Sequence, residues 1–329
     1  MSDVVTLQGY LGTWAAEDDT RKAVAAAVER IAQAGVAIAD MVARGPLAEH
    51  FAKIRGDEAN AGGDAQKELD VIAEEAIVSA LKAAPVAFLG SEESETPIPL
   101  NDAGTLVVAV DPLDGSSNID TNVSIGTIYS VLPYSAEAFP DPVEALKQKG
   151  TAQLASGFLV YGPSTLLVST VGAGTQVFVL DRASGDFILA RAAVEVPAAT
   201  KEYGVNQSNV RHWAAPMRAY IEDCLAGKDG PRGKDFNMRW VGSMVADAFR
   251  IFTRGGVYLY PGDSRKGYGE GRLRLIYEAN PVAFLVEQAQ GAATDGKTRI
   301  LDIVPQKLHQ RIPLVFGSRE EVEKIASYY

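Results

Sequence analysis

Leu106-Val-Val-Ala-Val110 is an unbroken apolar run, and it leads directly into Asp111-Pro-Leu-Asp-Gly-Ser-Ser-Asn118. Such a pattern predicts a strand buried on both faces, then a sharp turn that opens a helix or a helix-like turn. Pro85-Val-Ala-Phe-Leu-Gly90 reads the same way and also ends in acids, at Ser91-Glu92-Glu93. Two helices precede these strands. Val24, Val28, Ile31, Val36 and Ile38 recur at helical spacing from a cap at Asp19 or Thr20 to about Val42, with Gly35 a mild interruption and Gly45-Pro46 the stop. Leu69, Ile72, Ile77 and Leu81 mark a second helix, with Asp64 as its N-cap and Asp70 an acid inside it.

Beyond the central run the pattern changes to short apolar stretches separated by turn residues. Ser124–Leu132, Gly157–Tyr161, Thr165–Val171 and Gln176–Leu180 predict successive antiparallel strands, with Gly172-Ala-Gly-Thr175 and Asp181-Arg-Ala-Ser-Gly185 as turns. Val196-Pro-Ala-Ala-Thr200 reads as a linker, dividing the chain into residues 1–196 and 197–329. The second half alternates helices (His212 to Leu225, Ser243 to Thr253) with strands (Gly256–Tyr260, Ala292–Thr294, Ile312–Phe316) in the manner of an α/β domain. There Arg272-Leu-Arg-Leu-Ile-Tyr-Glu278 leads into a helix that runs to about Gln290, with Pro281 in its first turns.

Composition narrows the field. At 329 residues and 47% hydrophobic, the chain can bury two closely packed cores. A net charge of −11 argues against nucleic acid or an anionic membrane as the main partner. No apolar run is long enough for a membrane span, and residues 1–20 lack the pattern of a signal peptide, so a cytoplasmic location is expected. Cys224 is the only cysteine, which excludes disulfides within the chain. His50, His212 and His309 are scattered, which speaks against zinc chemistry and against a histidine-based triad.

The acids at the two strand ends carry the chemistry. Asp111 and Asp114 flank a Pro-containing turn and can face one small space, where they repel each other unless a hard divalent cation lies between them. Gly115, Ser116 and Ser117 then offer backbone N–H groups and hydroxyls at a helix start, which is where a phosphate is held. The bland alternative is an ordinary Asp-rich turn with Asp111 or Ser117 as a cap. Repetition of the pattern at Glu92-Glu93 favours a multi-metal site of oxygen ligands. Glu278 reads equally as a capping acid or as a further ligand.

Taken together, Gly63-Asp-Ala-Gln-Lys-Glu-Leu-Asp70, Ser91-Glu-Glu93, Asp111-Pro-Leu-Asp-Gly-Ser-Ser-Asn-Ile-Asp120, Ser124-Ile-Gly-Thr-Ile128, Arg239-Trp-Val-Gly-Ser-Met-Val-Ala-Asp247 and Arg272-Leu-Arg-Leu-Ile-Tyr-Glu-Ala-Asn-Pro281 resemble the class I fructose-1,6-bisphosphatases. The resemblance covers almost the whole chain in the family's order. The Asp-Pro-Leu-Asp-Gly-Ser core is shared with inositol monophosphatases; the other motifs are more specific.

This resemblance implies a layered αβαβα fold, with a mostly antiparallel N-terminal domain, a C-terminal α/β domain and the metal site between them. It implies two or three Mg²⁺ (or Mn²⁺) held by Glu92, Glu93, Asp111, Asp114, Glu278 and the carbonyl of Leu113, with Asp64, Asp70 and Glu93 positioning and deprotonating the attacking water. Gly115, Ser116 and Ser117 would hold the 1-phosphate, and Gly242, Ser243 and Met244 would line the sugar. Asn206, Tyr260 and Arg274 would surround the 6-phosphate, with Arg239 reaching in from a neighbouring subunit of a homotetramer. The implied activity is hydrolysis of fructose 1,6-bisphosphate in gluconeogenesis or the Calvin cycle. Sedoheptulose 1,7-bisphosphate is an alternative substrate, and an inositol-monophosphatase-like activity a weaker one. Three departures stand out: Arg272 replaces a Lys against the sugar phosphates, and Asn209 and Trp240 replace aromatic 6-phosphate contacts. Thr105-Leu106 and Pro133 stand where animal enzymes bind AMP, which implies weak or absent AMP inhibition, and the cysteine-bearing insert of chloroplast forms has no counterpart.

Overall fold

The structure is a computed structural model that describes residues 4–47, 54–59 and 65–329. Its first half is built on one sheet. Strands β1 (Ile54–Ala59) and β2 (Ala65–Lys67) form a separate hairpin pair, while β3 (Val86–Ser91), β4 (Ile98–Pro99), β5 (Leu106–Asp114), β6 (Ile125–Pro133), β7 (Ala155–Tyr161), β8 (Thr165–Thr170), β9 (Thr175–Asp181) and β10 (Asp186–Arg191) make a sheet in the order β10-β9-β8-β7-β6-β5-β3-β4. From β5 to β10 neighbours run antiparallel, as the short alternating stretches predict; only β3 and β5 are parallel. Because they are parallel neighbours, their C-terminal ends, with Glu92–Glu93 and Asp111–Asp114, fall at the same edge of the molecule.

Helices α1 (Leu7–Ala15), α2 (Asp19–Arg44) and α3 (Glu68–Leu81) cover one face of this sheet. Their apolar stripes, Val24, Val28, Ile31 and Ile38 on α2 and Leu69, Ile77 and Leu81 on α3, interlock with Leu106, Val108 and Val110 of β5. Gly35 lets α2 lie close: a Cβ there would come within 2.3 Å of the Leu159 side chain on β7. Helix α1 went unread in the sequence pattern, and α2 is capped by Asp18, which accepts from Arg21 N–H at 2.8 Å, not by Asp19 or Thr20. Helix α3 starts at Glu68, three strand residues later than expected; Asp64, expected as its cap, lies outside the described residues.

The opposite face packs on a second core, which holds α6 (Met244–Arg254) and α7 (Asn280–Gln288) between the large sheet and a five-stranded one. That sheet runs β12-β11-β13-β17-β15, from β11 (Glu202–Gly204), β12 (Asn237–Met238), β13 (Val257–Tyr260), β15 (Ala292–Thr294) and β17 (Leu314–Gly317); β14 (Leu273–Arg274) pairs with β16 (Arg311–Ile312) apart from it. Its far side is closed by α5 (Ala215–Leu225) and α8 (Arg319–Ala326) around Met217, Tyr220, Ile221, Val322 and Ile325, while the short α4 (Pro142–Leu146) covers β5 beside the second core. The layers are therefore helix, sheet, helix, sheet, helix. Two elements differ from the sequence reading because of proline. The helix expected from His212 begins at Ala215, with Pro216 in its first turn, after a 3₁₀ segment over Gln207–His212; the strand expected over Ile312–Phe316 is split at Pro313 into β16 and β17. No helix among the described residues is long and apolar enough to cross a membrane.

Candidate active site

On a regular strand, residues three apart point to opposite faces. Strand β5 does not stop at Val110 as the sequence pattern implies but continues through Asp114 with an irregularity: Asp111 pairs with Ile128 and Asp114 with Gly126, so three steps on β5 match two on β6. This bulge restores both carboxylates to one side. It is held by Thr127, whose hydroxyl donates to the Pro112 carbonyl at 2.8 Å and lies 2.7 Å from the Tyr161 hydroxyl, and by the Leu113 N–H, which donates to Asp111 at 3.0 Å.

Glu278 comes to the same place by another distortion. It lies in a π-helical turn, Leu275–Ala279, immediately before α7, where Pro281 prevents the ordinary helical ladder from continuing backwards. Carboxylate oxygens of Asp111, Asp114 and Glu278 all lie within 4.8 Å of one another, and all three residues are buried. Burial first, and then the charges of Glu92 and Glu278, hold the Asp111 carboxyl well above its usual range. Glu278 is raised by burial and by Glu92, against the pull of the Arg274 N–H. Asp114 is pushed up to about 6 by burial, opposed by hydrogen bonds from the start of α6. There the Val245 N–H donates to its carboxylate at 3.0 Å, so Asp114 caps a helix from another part of the chain.

Glu92 and Glu93 join this group from the end of β3. The Glu92 N–H continues the pairing with Val110 O at 3.0 Å, and both glutamates act electrostatically on Asp111. Asp70 is buried in the first turn of α3. A buried set of carboxylates with no imidazole or thiolate among the described members fits a hard divalent cation bound through oxygen. Burial of several mutually raised acids is costly without such a cation, and that is the strongest sign that the residues fit one.

Next to the acids, Gly115 takes φ +79° and begins a 3₁₀ turn over Ser116–Thr121; a side chain there would crowd Ser243 at 3.3 Å. Asn118 Nδ2 donates to Gly242 O at 3.0 Å, and Asp247, fully buried, accepts from the N–H groups of Val241 and Gly242. These bonds bring Gly242, Ser243 and Met244 against the 115–118 turn.

A separate pocket in the second half gathers Asn206, Asn209, Tyr260, Arg265 and Arg272. The guanidinium carbons of Arg265 and Arg272 each lie 4.8 Å from the ring centre of Tyr268. Arg265 and Tyr268 were missed in the sequence; their signal is the basic, glycine-rich loop Pro261-Gly-Asp-Ser-Arg-Lys-Gly-Tyr268 after β13. Arg274 is not in this pocket. Its side chain is fully buried, its Nε donates to Glu92 at 3.1 Å, and its N–H donates to Glu278, so it neutralises the acid cluster. Trp240 stacks on Tyr258 with ring centroids 5.5 Å apart, while Arg239 lies largely exposed, 3.7 Å from Glu202.

Comparison with known proteins matches residues 11–192 to the family model described as the N-terminal domain of fructose-1,6-bisphosphatase, and residues 196–329 to that of its C-terminal domain. The "Fructose-1,6-bisphosphatase class 1" of Azorhizobium caulinodans is 76% identical over 325 residues, 99% of either chain. A second such protein, from Xanthobacter autotrophicus, is 75% identical over the full length of both. Among solved structures, the fructose-1,6-bisphosphatase of Leishmania major in holo form superposes with a TM-score of 0.91 at 35% identity, covering 99% of each chain.

Proposed function

The chain belongs to the fructose-1,6-bisphosphatase family and is an enzyme of that family, and from this premise we propose that it removes the 1-phosphate of D-fructose 1,6-bisphosphate by direct attack of water. The observation that carries this reading is the pairing of two sites: a buried carboxylate cluster suited to phosphoryl transfer, and a separate pocket suited to a second phosphate, where Arg272 joins Asn206 and Tyr260 beside the Arg265–Asp263 ion pair. A monoester substrate has no use for the second.

Glu92, Glu93, Asp111, Asp114, Glu278 and the Leu113 carbonyl would hold Mg²⁺ or Mn²⁺, two or three per subunit. When bound, such ions neutralise phosphoryl oxygens, stabilise the departing alkoxide and acidify water. The chain's own groups do the rest. The N–H groups of Gly115 and Ser116, with the Ser117 hydroxyl, orient the 1-phosphate. Asp70 and Glu93, together with Asp64, align the attacking water behind the phosphorus and receive its proton. Arg274 offsets part of the repulsion among these acids, its Nε donating to Glu92 and its N–H to Glu278. Gly242, Ser243 and Met244 support the sugar, and Arg272, Asn206 and Tyr260 hold the distal phosphate. Arg239, exposed at the edge of the five-stranded sheet, serves this pocket in a neighbouring subunit of a homotetramer. The enzyme works in the cytoplasm, in gluconeogenesis or the Calvin cycle. Leu106, preceded by Thr105, pairs with Pro133 where β5 starts and β6 ends, and none of the three carries a cationic or phenolic side chain, so AMP inhibition there is weak or absent.

The test is phosphate release with Mg²⁺ from fructose 1,6-bisphosphate, sedoheptulose 1,7-bisphosphate and inositol 1-phosphate side by side, each with and without AMP. Turnover of the bisphosphates alone, unaffected by AMP, is the expected result, and their ratio identifies the physiological substrate. Preference for inositol 1-phosphate would overturn the reading.

A further inference from the structure

The acids of the site come from four carriers: β5, the turn after β3, helix α3 and the π-helical turn before α7. The β5 acids are fixed by the bulge and Glu92 by the continued pairing of β3 with β5, whereas α3 and the π-helical turn are not strands of that sheet. One residue outside the proposed ligand set, Ser94, links the turn after β3 to α3 directly and to the π-helical turn through His309. Ser94 closes the turn after β3, its N–H donating to Ser91 O at 3.4 Å. Its hydroxyl donates to Glu74 Oε1 at 2.7 Å. Glu74 lies one helical turn beyond Asp70 on α3, so the two side chains share a face of that helix. The Ser94 carbonyl lies 3.1 Å from His309 Nε2, and the His309 ring packs 5.3 Å from that of Tyr277, the neighbour of Glu278 in the π-helical turn.

We propose that Ser94 and Glu74 are positioning residues that set Asp70 in register with Glu92 and Glu93, with His309 extending the clamp to the carrier of Glu278. The inference rests on the active-site reading above. A hydroxyl donating to a carboxylate is a short, strong and directional bond, and here it spans the gap between the helix that holds a water-orienting acid and the turn that holds the cation ligands. Displacements of an ångström suffice to spoil such a geometry. Removing the hydroxyl also leaves the half-buried Glu74 carboxylate without this donor, near the acids it should steady. The role is geometric and requires no change of protonation at any of these groups.

The test uses the full-length enzyme with Ser94→Ala, Ser94→Thr, Glu74→Ala and the double variant Ser94→Ala/Glu74→Ala. Three readouts are taken: kcat and KM for fructose 1,6-bisphosphate with Mn²⁺, Mn²⁺ affinity without substrate from the free-Mn²⁺ electron paramagnetic resonance signal, and Tm. For Ser94→Ala, kcat falls about tenfold, KM stays within about twofold, and Mn²⁺ binding weakens severalfold. Thr restores kcat and Mn²⁺ affinity. Glu74→Ala reproduces the Ala defect, and the double variant is no worse than either single one, because both break one bond. Unchanged kcat and Mn²⁺ affinity in Ser94→Ala, or additive losses in the double variant, would overturn the clamp while leaving the parent reading intact. Absence of Mn²⁺-dependent turnover in the unsubstituted protein would sink both. Should Ser94→Ala not fold, Glu74→Ala decides, since its side chain is only half-buried.

Discussion

Asp111 and Asp114 do their work as a pair only because each is paired with something else as well. Asp111 accepts from Leu113 N–H and faces the other acids; Asp114 is tied to the first N–H groups of α6. In the cation-free protein the folded Asp114 carboxyl titrates near 6, against 3.8 for the ordinary side chain. An acid raised on folding binds more protons in the folded than in the unfolded chain between those two values, so its contribution to stability is present below about 4 and is lost as pH rises towards about 6. Thermal scans of the metal-stripped protein at pH 4.5 to 7 should therefore show a Tm that falls with rising pH relative to Asp114→Asn, which lacks this group. Excess Mg²⁺ should reverse the slope, because cation and proton compete for the same oxygens. Asp70 and Glu93 are proposed for a different task. Asp70→Asn and Glu93→Gln should each lower kcat by about 10² to 10⁴, the usual share of a positioned base, with KM changed little. Single-turnover phosphate release measures this, and unchanged turnover in both variants would refute their assignment.

Elements bring these residues together through departures from regularity, and that is where sequence reading was weakest. The buried run 106–110, the antiparallel stretch from β6 to β9 and the stripes of α2 and α3 were all legible, since hydrophobic periodicity records them directly. The bulge in β5 was not, because it is a register between two strands and leaves no periodicity of its own. The π-helical turn was signalled only by Pro281, and α1 only by a short apolar set near the start of the described chain. The acids themselves were readable as residues. Their convergence followed from the parallel pairing of β3 and β5, and the placement of Arg274 among them, away from the distal pocket, needed the fold. The bulge can be tested at Thr127. Replacing it by Val leaves the Pro112 carbonyl and the Tyr161 hydroxyl without their buried partner, at a cost of about 1–3 kcal/mol. Urea unfolding should show a lower midpoint with an unchanged m-value, and Mn²⁺ affinity should fall with it. Tyr161→Phe removes a bond on the far side of Thr127 only. It should lower the midpoint while leaving Mn²⁺ affinity intact, and an equal loss of affinity in both variants would mean that the bulge is not what Thr127 maintains.

At the scale of the whole molecule, the proposed function requires one polyanion to reach both the carboxylate cluster and the pocket of Arg272. The chain carries a net charge of −11, so the cations that meet the substrate must be local and well held. Arg272 is the one proposed above for this role: its guanidinium lies over Tyr268 and it lines the pocket with Asn206, Asn209 and Tyr260, two residues along the chain from Arg274 in the acid cluster. Binding of a phosphate that takes no part in bond breaking is nearly the same in the ground and transition states. Such an interaction appears in KM and little in kcat. Arg272→Ala should therefore raise KM for fructose 1,6-bisphosphate about 10- to 100-fold, as expected for loss of a hydrogen-bonded charge worth about 1.5–3 kcal/mol, with kcat within a few-fold of the parent. Arg272→Lys should recover part of the loss, because an ammonium restores the charge but not the planar fork or its stacking on Tyr268. Steady-state kinetics on the three proteins decides the matter. A fall in kcat at unchanged KM would place Arg272 with the reacting phosphate, and the two-site view of the molecule would then have to be redrawn.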